Sequence, residues 1–352
     1  MKKIILKTTV FVLPFIIIHL IGNIFYLKIP GDLIRVGLIY SIPGYRDVFS
    51  TKITINSVTQ VSELSKTNKR KFDILTIGDS FSNQDLIGYN NYIANLSPLT
   101  VLNLNGKLNS NLNPIQTVMD FANGDVLDSL DVDFIVLQLV ERQSASRRNI
   151  IENKSVIFDS IINKPLKKLE ENSSTSFFSN TTLKLLFTNF SYLFNNKPYY
   201  SKTFRVKSTK PLFSNKPAEI LFSEEDVSIL KDNNNLNNIK ELNDKLNFIN
   251  RRLDKKDIKL IVLICPDKYD LYYDYILDKG EFTKPIFFES FKDLSKKYLY
   301  VNAKKKITDE IELKNDLYFY DDTHWSPHSA KIVAKEIIRT IMNERTTKPK
   351  LQ

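Results

Sequence analysis

Cysteine is almost missing from this chain: Cys265 is the only one in 352 residues. An intramolecular disulfide is therefore excluded, and so is a metal site built on several thiolates. Zinc-finger spacing, an RNA-recognition signature and an Arg-rich arm are also missing. Nucleic acid is thus the least favoured partner, despite a formal net charge of +10. A basic surface attracts anionic lipid or acidic polysaccharide as readily, and charge alone does not choose among them. No repeat of solenoid length runs through the chain. Disorder is excluded by what is present: 42% hydrophobic residues, with 23 Phe and 16 Tyr, are enough to build a folded core.

Charge itself is missing from one stretch. Thr8 to Leu27 is twenty residues without a charge, preceded by Lys2 and Lys3. Such a run is just long enough to cross a bilayer as a helix, and the leading lysines favour a cytoplasmic N-terminus. A small-residue cleavage site is lacking, so the run reads as an uncleaved anchor rather than a secretory signal. The expected layout is a membrane anchor over residues 1–28, a juxtamembrane linker over 29–70 and a globular domain over 71–345.

Within the globular part, short Ile/Leu/Val-rich runs recur: "FDILTI" (Phe72 to Ile77), "TVLNLN" (Thr100 to Asn105), "FIVLQLV" (Phe134 to Val140), "KLIVLIC" (Lys259 to Cys265) and "YLYVNA" (Tyr298 to Ala303). Near-continuous apolar runs mark strands covered on both faces. Helical segments fall between them, among them Asn234 to Lys256 with Leu236, Ile239, Leu242, Leu246 and Ile249 on one stripe. The fold class expected is α/β, a three-layer α/β/α sandwich with a parallel sheet. An Asn-, Ser-, Lys- and Phe-rich stretch at about 144–230 interrupts the rhythm and reads as a partly helical insertion.

Histidine is scarce, yet two of the three fall in "YFYDDTHWSPHSA", Tyr318 to Ala330, with the only tryptophan, Trp325. Ser326 suits the N-cap and Pro327 the first position of a final helix, so His324 lies in a loop just before a helix start. The first strand ends in "ILTIGDSFSN", where Gly78 permits a tight turn and Ser80 falls where a helix should begin. In an open parallel sheet, ligands sit at the carboxyl ends of strands. A serine there needs a base to take its proton, and a carboxylate to orient the base. Ser80, His324 and either Asp321 or Asp322 are the candidates. Metal binding is the rival use, since His324 and His328 stand four apart. No Glu follows His324, and Pro327 leaves it outside the helix, against the helical zinc pattern.

"GDSF" (Gly78 to Phe81), "DDTHW" (Asp321 to Trp325), "VER" (Val140 to Arg142) and "CPDKYDLYY" (Cys265 to Tyr273) together resemble the SGNH hydrolase superfamily. The finer likeness is to its periplasmic branch of alginate O-acetyltransferase-like domains. In that branch the Asp-x-His motif precedes the serine motif; here Ser80 comes first, so the motif order looks permuted. Trp325 matches the branch pattern, which implies Asp322 as the carboxylate, with Asp321 the alternative from ordinary members.

The resemblance further implies an SGNH/flavodoxin-like fold and an oxyanion hole from Ser80 and Gly106. It also implies substrate contacts from Arg142, Lys268 and Trp325, and chemistry without a cofactor or metal. The expected activity is an O-acetyltransferase, working on an exported polysaccharide, held by a single-pass anchor in a bacterial inner membrane with its catalytic domain outside the cytoplasm. The acetyl donor is expected from a multi-pass membrane acyltransferase. An SGNH esterase is the alternative, and a non-catalytic scaffold in polysaccharide assembly a second one.

Overall fold

All five apolar runs form strands; the inner four are buried on both faces, and the last, Leu299–Asn302 at the sheet edge, only in part. The computed structural model describes residues 2–26, 31–40, 46, 49, 53, 55–163, 180–216 and 218–347. Its main sheet holds β1 (Thr59–Gln60), β2 (Lys71–Ile77), β3 (Val101–Leu104), β4 (Asp131–Val140), β7 (Lys259–Cys265) and β8 (Leu299–Asn302). Between β4 and β7 lie β5 (Thr203–Lys207) and β6 (Glu219–Ser223), an antiparallel pair of their own. The order in the main sheet is β1-β3-β2-β4-β7-β8, and every pairing is parallel.

Alternation along each strand feeds two cores. Leu260, Val262 and Ile264 of β7 pack with Ile239, Leu242, Leu246 and Ile249 from the helix Leu236–Asp254. Ile261, Leu263 and Cys265 point the other way, toward Val333, Ile337 and Ile341 from the helix Pro327–Thr347. The α/β architecture with a parallel sheet is therefore observed as expected. The first helix is slightly shorter than expected, since Asn235 caps it by accepting from the backbone N–H groups of Asn237 and Asn238. Leu236 accordingly leaves the buried stripe and is exposed.

The strand order places the site. The five long strands run second, first, third, fourth, fifth across the sheet, the flavodoxin-like order, with its switch point between β2 and β4. The carboxyl ends of β2 and β4 lie side by side there, and β2 delivers Ser80 just beyond its end.

Two features differ from the expected layout. The segment read as a juxtamembrane linker contributes to the packed body: the short helix Asp32–Gly37 buries Leu33 and Ile34, and β1 joins the sheet edge. At the N-terminus a helix runs over Lys2–Tyr26 with Pro14 inside it. Ile5, Leu6, Phe11 and Phe15 on it are exposed. Among the described residues, however, no helix is long and apolar enough to cross a membrane.

The two-sided burial of the central strands gives a direct expectation. Leu263→Ala should lower the unfolding free energy by about 2–5 kcal/mol, the range for an emptied core position. Chemical denaturation measures it, and an unchanged midpoint would contradict the packing described.

Candidate active site

The serine turn is built by close packing. Gly78 follows β2, and a Cβ on it would collide with Ser82 and would stand 2.5 Å from Gln138 Oε1. That oxygen, from β4, accepts from Asp79 N–H at 2.8 Å and from Ser82 Oγ at 3.0 Å. So the neighbouring strand holds the turn from below while Ser80 stays exposed above it. Where the sequence suggested a helix start, the structure has a single 3₁₀ turn, Ser80–Ser82. The next α-helix begins only at Tyr89, so little helix dipole acts at Ser80. Gly106, the other expected oxyanion donor, packs on this turn: a Cβ there would lie 3.0 Å from Asn83 Nδ2 and 3.1 Å from Gly78 O.

The histidine loop is a tight hairpin. Ser326 N–H donates to Leu317 O at 3.0 Å and Phe319 N–H to His324 O at 3.2 Å, with Tyr318 and Trp325 bridged across it. Ser326 Oγ accepts from His328 N–H, capping the last helix as the sequence suggested. At the tip, His324 Nε2 lies 2.6 Å from Ser80 Oγ, and Nδ1 lies 2.6 Å from Asp322 Oδ1. An ionised carboxylate only accepts, so Nδ1 carries the proton and Nε2 presents its lone pair to the Ser80 hydroxyl. Phe81 sits between the two motifs, its ring 4.7 Å from those of both His324 and Trp325.

Asp322, not Asp321, is the partner of His324. Burial alone would raise its pKa, but the hydrogen bond and charge of His324, with those of Arg46, hold it well below the usual carboxylate range. Arg46 Nη2 reaches Asp322 Oδ2 at 2.7 Å and Asp321 Oδ1 at 3.2 Å. For Asp321 burial wins over Arg46, and its pKa is raised.

A clamp from the N-terminal side completes the loop. Leu33 N–H and Ile34 N–H donate to Asp321 O at 3.1 and 3.3 Å. Asp32 accepts from Thr323 N–H at 2.8 Å and from Thr323 Oγ1 at 2.5 Å. Neither Asp32 nor Arg46 was singled out from the sequence. They lie in a segment read as linker, and no local pattern ties them to residues near 322. Asp32, Asp322 and His324 also form the one group among the described residues whose ligand atoms lie close enough for a cation, within 4.8 Å. All three are engaged in the hydrogen bonds above, and the Arg46 guanidinium beside Asp322 opposes a further positive charge.

Three residues expected to contact substrate do something else, because they are buried or paired. Trp325 has no exposed surface and packs edge-on against Phe81. Lys268 is 1% exposed; its Nζ donates to Phe319 O and Tyr320 O, both at 2.7 Å, and to Asp322 O at 3.3 Å. It shapes the hairpin from inside, and burial pulls its pKa down to about 7. Arg142 lines a cavity, yet its guanidinium is held by Asp267 at 2.7 Å and by Asp226 and Glu225 at 3.5 Å. His328 lies to one side, its ring 6.1 Å from that of Phe49.

A parallel α/β sandwich thus carries a hydroxyl, an imidazole and a carboxylate in line at the carboxyl ends of its strands, an arrangement suited to acyl transfer through a serine. Residues 220–351 match the family model described as the SGNH hydrolase-like domain of acetyltransferase AlgX. That match, over less than half of the chain, supports the SGNH-like AlgX branch and an acetyltransferase-like SGNH fold. It takes in Asp322 and His324, while Ser80 lies N-terminal to it. No curated protein matches the chain.

Asp322 carries a pH signature. Its depressed folded pKa contributes stability that is present above the unfolded value, about 3.9, and lost as pH falls through the folded one. Asp322→Asn should therefore be less stable than wild type at neutral pH, with the gap closing on acidification. Melting temperatures of the two proteins between neutral pH and pH 3 check this; a gap that widens with acid would contradict an ionised Asp322.

Proposed function

We propose that the chain is a serine O-acyltransferase that moves an acetyl group onto a polysaccharide hydroxyl. The observation that carries this reading is the unbroken line from Ser80 Oγ through the His324 ring to Asp322, 2.6 Å at each step. The match of residues 220–351 to an acetyltransferase family model supports acetyl as the group transferred.

The proposed steps run through this line of residues. Ser80 Oγ attacks the donor's acetyl carbonyl, and its proton passes to His324 Nε2. Asp322, already ionised, stabilises the imidazolium and keeps the ring oriented. Negative charge on the carbonyl oxygen is met by backbone N–H groups at Ser80 and Gly106. The bond to the leaving oxygen breaks and His324 returns the proton to it, leaving acetyl-Ser80. A sugar hydroxyl then gives its proton to His324 and attacks the acyl carbon. Collapse of the second tetrahedral species returns the proton to Ser80 Oγ and releases the acetylated sugar.

One observation favours hydrolysis as a second reading. Ser80 is exposed, so water reaches the acyl carbon as easily as a sugar does.

The location proposed is the outer side of a bacterial inner membrane. This rests on the charge-free run Thr8 to Leu27 acting as a single anchor. A multi-pass membrane acyltransferase as donor is a proposal by resemblance alone. Recovery of the protein from membranes washed with alkaline carbonate is the expected result. Release into the wash would remove the anchor from the proposal.

The decisive assay offers an activated acetyl ester with and without oligosaccharide. Acetylated sugar should form, and Ser80→Ala should lower turnover by on the order of 10³-fold or more. Acetate release that ignores the sugar would make the protein an esterase. Turnover unaffected by Ser80→Ala would leave the site without an enzymatic role.

A further inference from the structure

Beside the serine turn lies a cavity of about 230 Å³ whose chemistry is unusual for this basic chain. Six of its ten lining residues are amides: Asn56, Gln60, Asn83, Asn90, Asn103 and Asn105. The only charged residue among them is Asp85, and no cation is present. Ser82 and Asn83 belong to the turn that carries Ser80, so the cavity adjoins that turn, although Ser80 itself is not in its lining.

The amides divide into a fixed frame and groups that remain open. Asn103 is locked: its Oδ1 accepts from Thr76 Oγ1 at 2.6 Å and its Nδ2 donates to Gln60 Oε1 at 3.0 Å. Asn90 Nδ2 donates to Ser82 O at 2.9 Å, tying this wall to the serine turn. Gln60 is thereby oriented with Nε2 left as a donor. Asn56 accepts from Val58 N–H through Oδ1, which leaves its Nδ2. Asn83 donates to Asp79 O at 2.8 Å, which leaves its Oδ1 as an acceptor. Pre-oriented neutral donors and acceptors side by side match sugar hydroxyls, each of which both donates and accepts. A carboxylate would instead call for Arg or Lys, and here it would meet Asp85.

We infer that this amide-lined cleft is the acceptor subsite and that it takes one ring of a neutral glycan, a hexose or N-acetylhexosamine unit, in preference to a uronate. The inference rests on the acyltransferase reading of Ser80 and adds to it the class of acceptor. The cleft lies below the size of drug-sized pockets, which suits a single ring with the rest of the glycan outside.

The test separates binding from chemistry. Full-length Ser80→Ala protein is titrated by calorimetry with an N-acetylglucosamine tetrasaccharide and with a galacturonate tetrasaccharide. The neutral sugar should bind at least about tenfold more tightly. Asn56→Ala, and Gln60→Glu, which keeps the size of Gln60 and its acceptor for Asn103 but removes the Nε2 donor, should each weaken neutral binding by about fivefold, the loss of one neutral hydrogen bond. Equal or tighter uronate binding, no binding of the neutral sugar, or affinities that both variants leave unchanged overturn the inference. Acetyl-ester turnover by the Ser80-containing protein is measured alongside. If Ser80 turns over ester while the cleft ignores neutral sugar, only the acceptor assignment falls. If neutral sugar binds in a Gln60-dependent way while Ser80 is inert, the subsite stands and the acyltransferase reading falls.

Discussion

A buried carboxylate shared between a guanidinium and an imidazole governs this site. Asp322 offers one oxygen to the His324 ring and to the His324 backbone N–H, and the other to Arg46. An ionised group so far from water is expensive unless every lone pair finds a partner. The surrounding chain meets that demand from three directions. Arg46 comes from the N-terminal segment, the hairpin folds its own backbone back on the carboxylate, and Lys268 fills the hairpin from beneath. With those partners in place the His324 ring has one orientation, and Nε2 faces Ser80.

The four sequence motifs are parts of one packed unit. Phe81 of the serine motif touches both His324 and Trp325, so the two loops carrying the site are fixed to each other by aromatic contact. Behind them, Glu141 at the end of β4 accepts from Asp267 N–H at 2.8 Å, and Arg142 pairs with Asp267. Burial, with Asp270 and Asp267 close by, pushes the Glu141 carboxyl well up. Residues that looked ready for substrate thus tie β4 to β7 beneath the site. A neutral, amide-rich wall around Gln60 and Asn103 lies beside the serine turn.

Much of the fold was legible because its signals are local. Five apolar runs announced a parallel sheet, and the helix cap at Ser326 follows from a side chain bonding to backbone two residues away. The short helix Asp32–Gly37 was not legible. It has too few residues to show a period, and what holds it is the hairpin almost three hundred positions later. The resemblance named the residue types of the site, yet it also assigned Trp325, Lys268 and Arg142 to substrate. Motif recurrence cannot distinguish a side chain that touches ligand from one that shapes the loop holding the site.

The sequence by itself determined the five long strands of the main sheet, a serine just past the end of the first of them and a histidine just before the last helix; it did not show β1 or the antiparallel pair β5–β6 inside the stretch read as a partly helical insertion. The features it determined follow from periodicity and turn chemistry within a few residues. Only the tertiary structure decided that Asp322 rather than Asp321 serves His324, and that Arg46 and Asp32 brace the loop. It alone showed that the cationic residues of the motifs are buried partners. Those outcomes depend on charges and packing brought together across separations such as the 276 positions between Arg46 and Asp322. Neighbours in space, not in sequence, set the burial and pairing that fix a group's role.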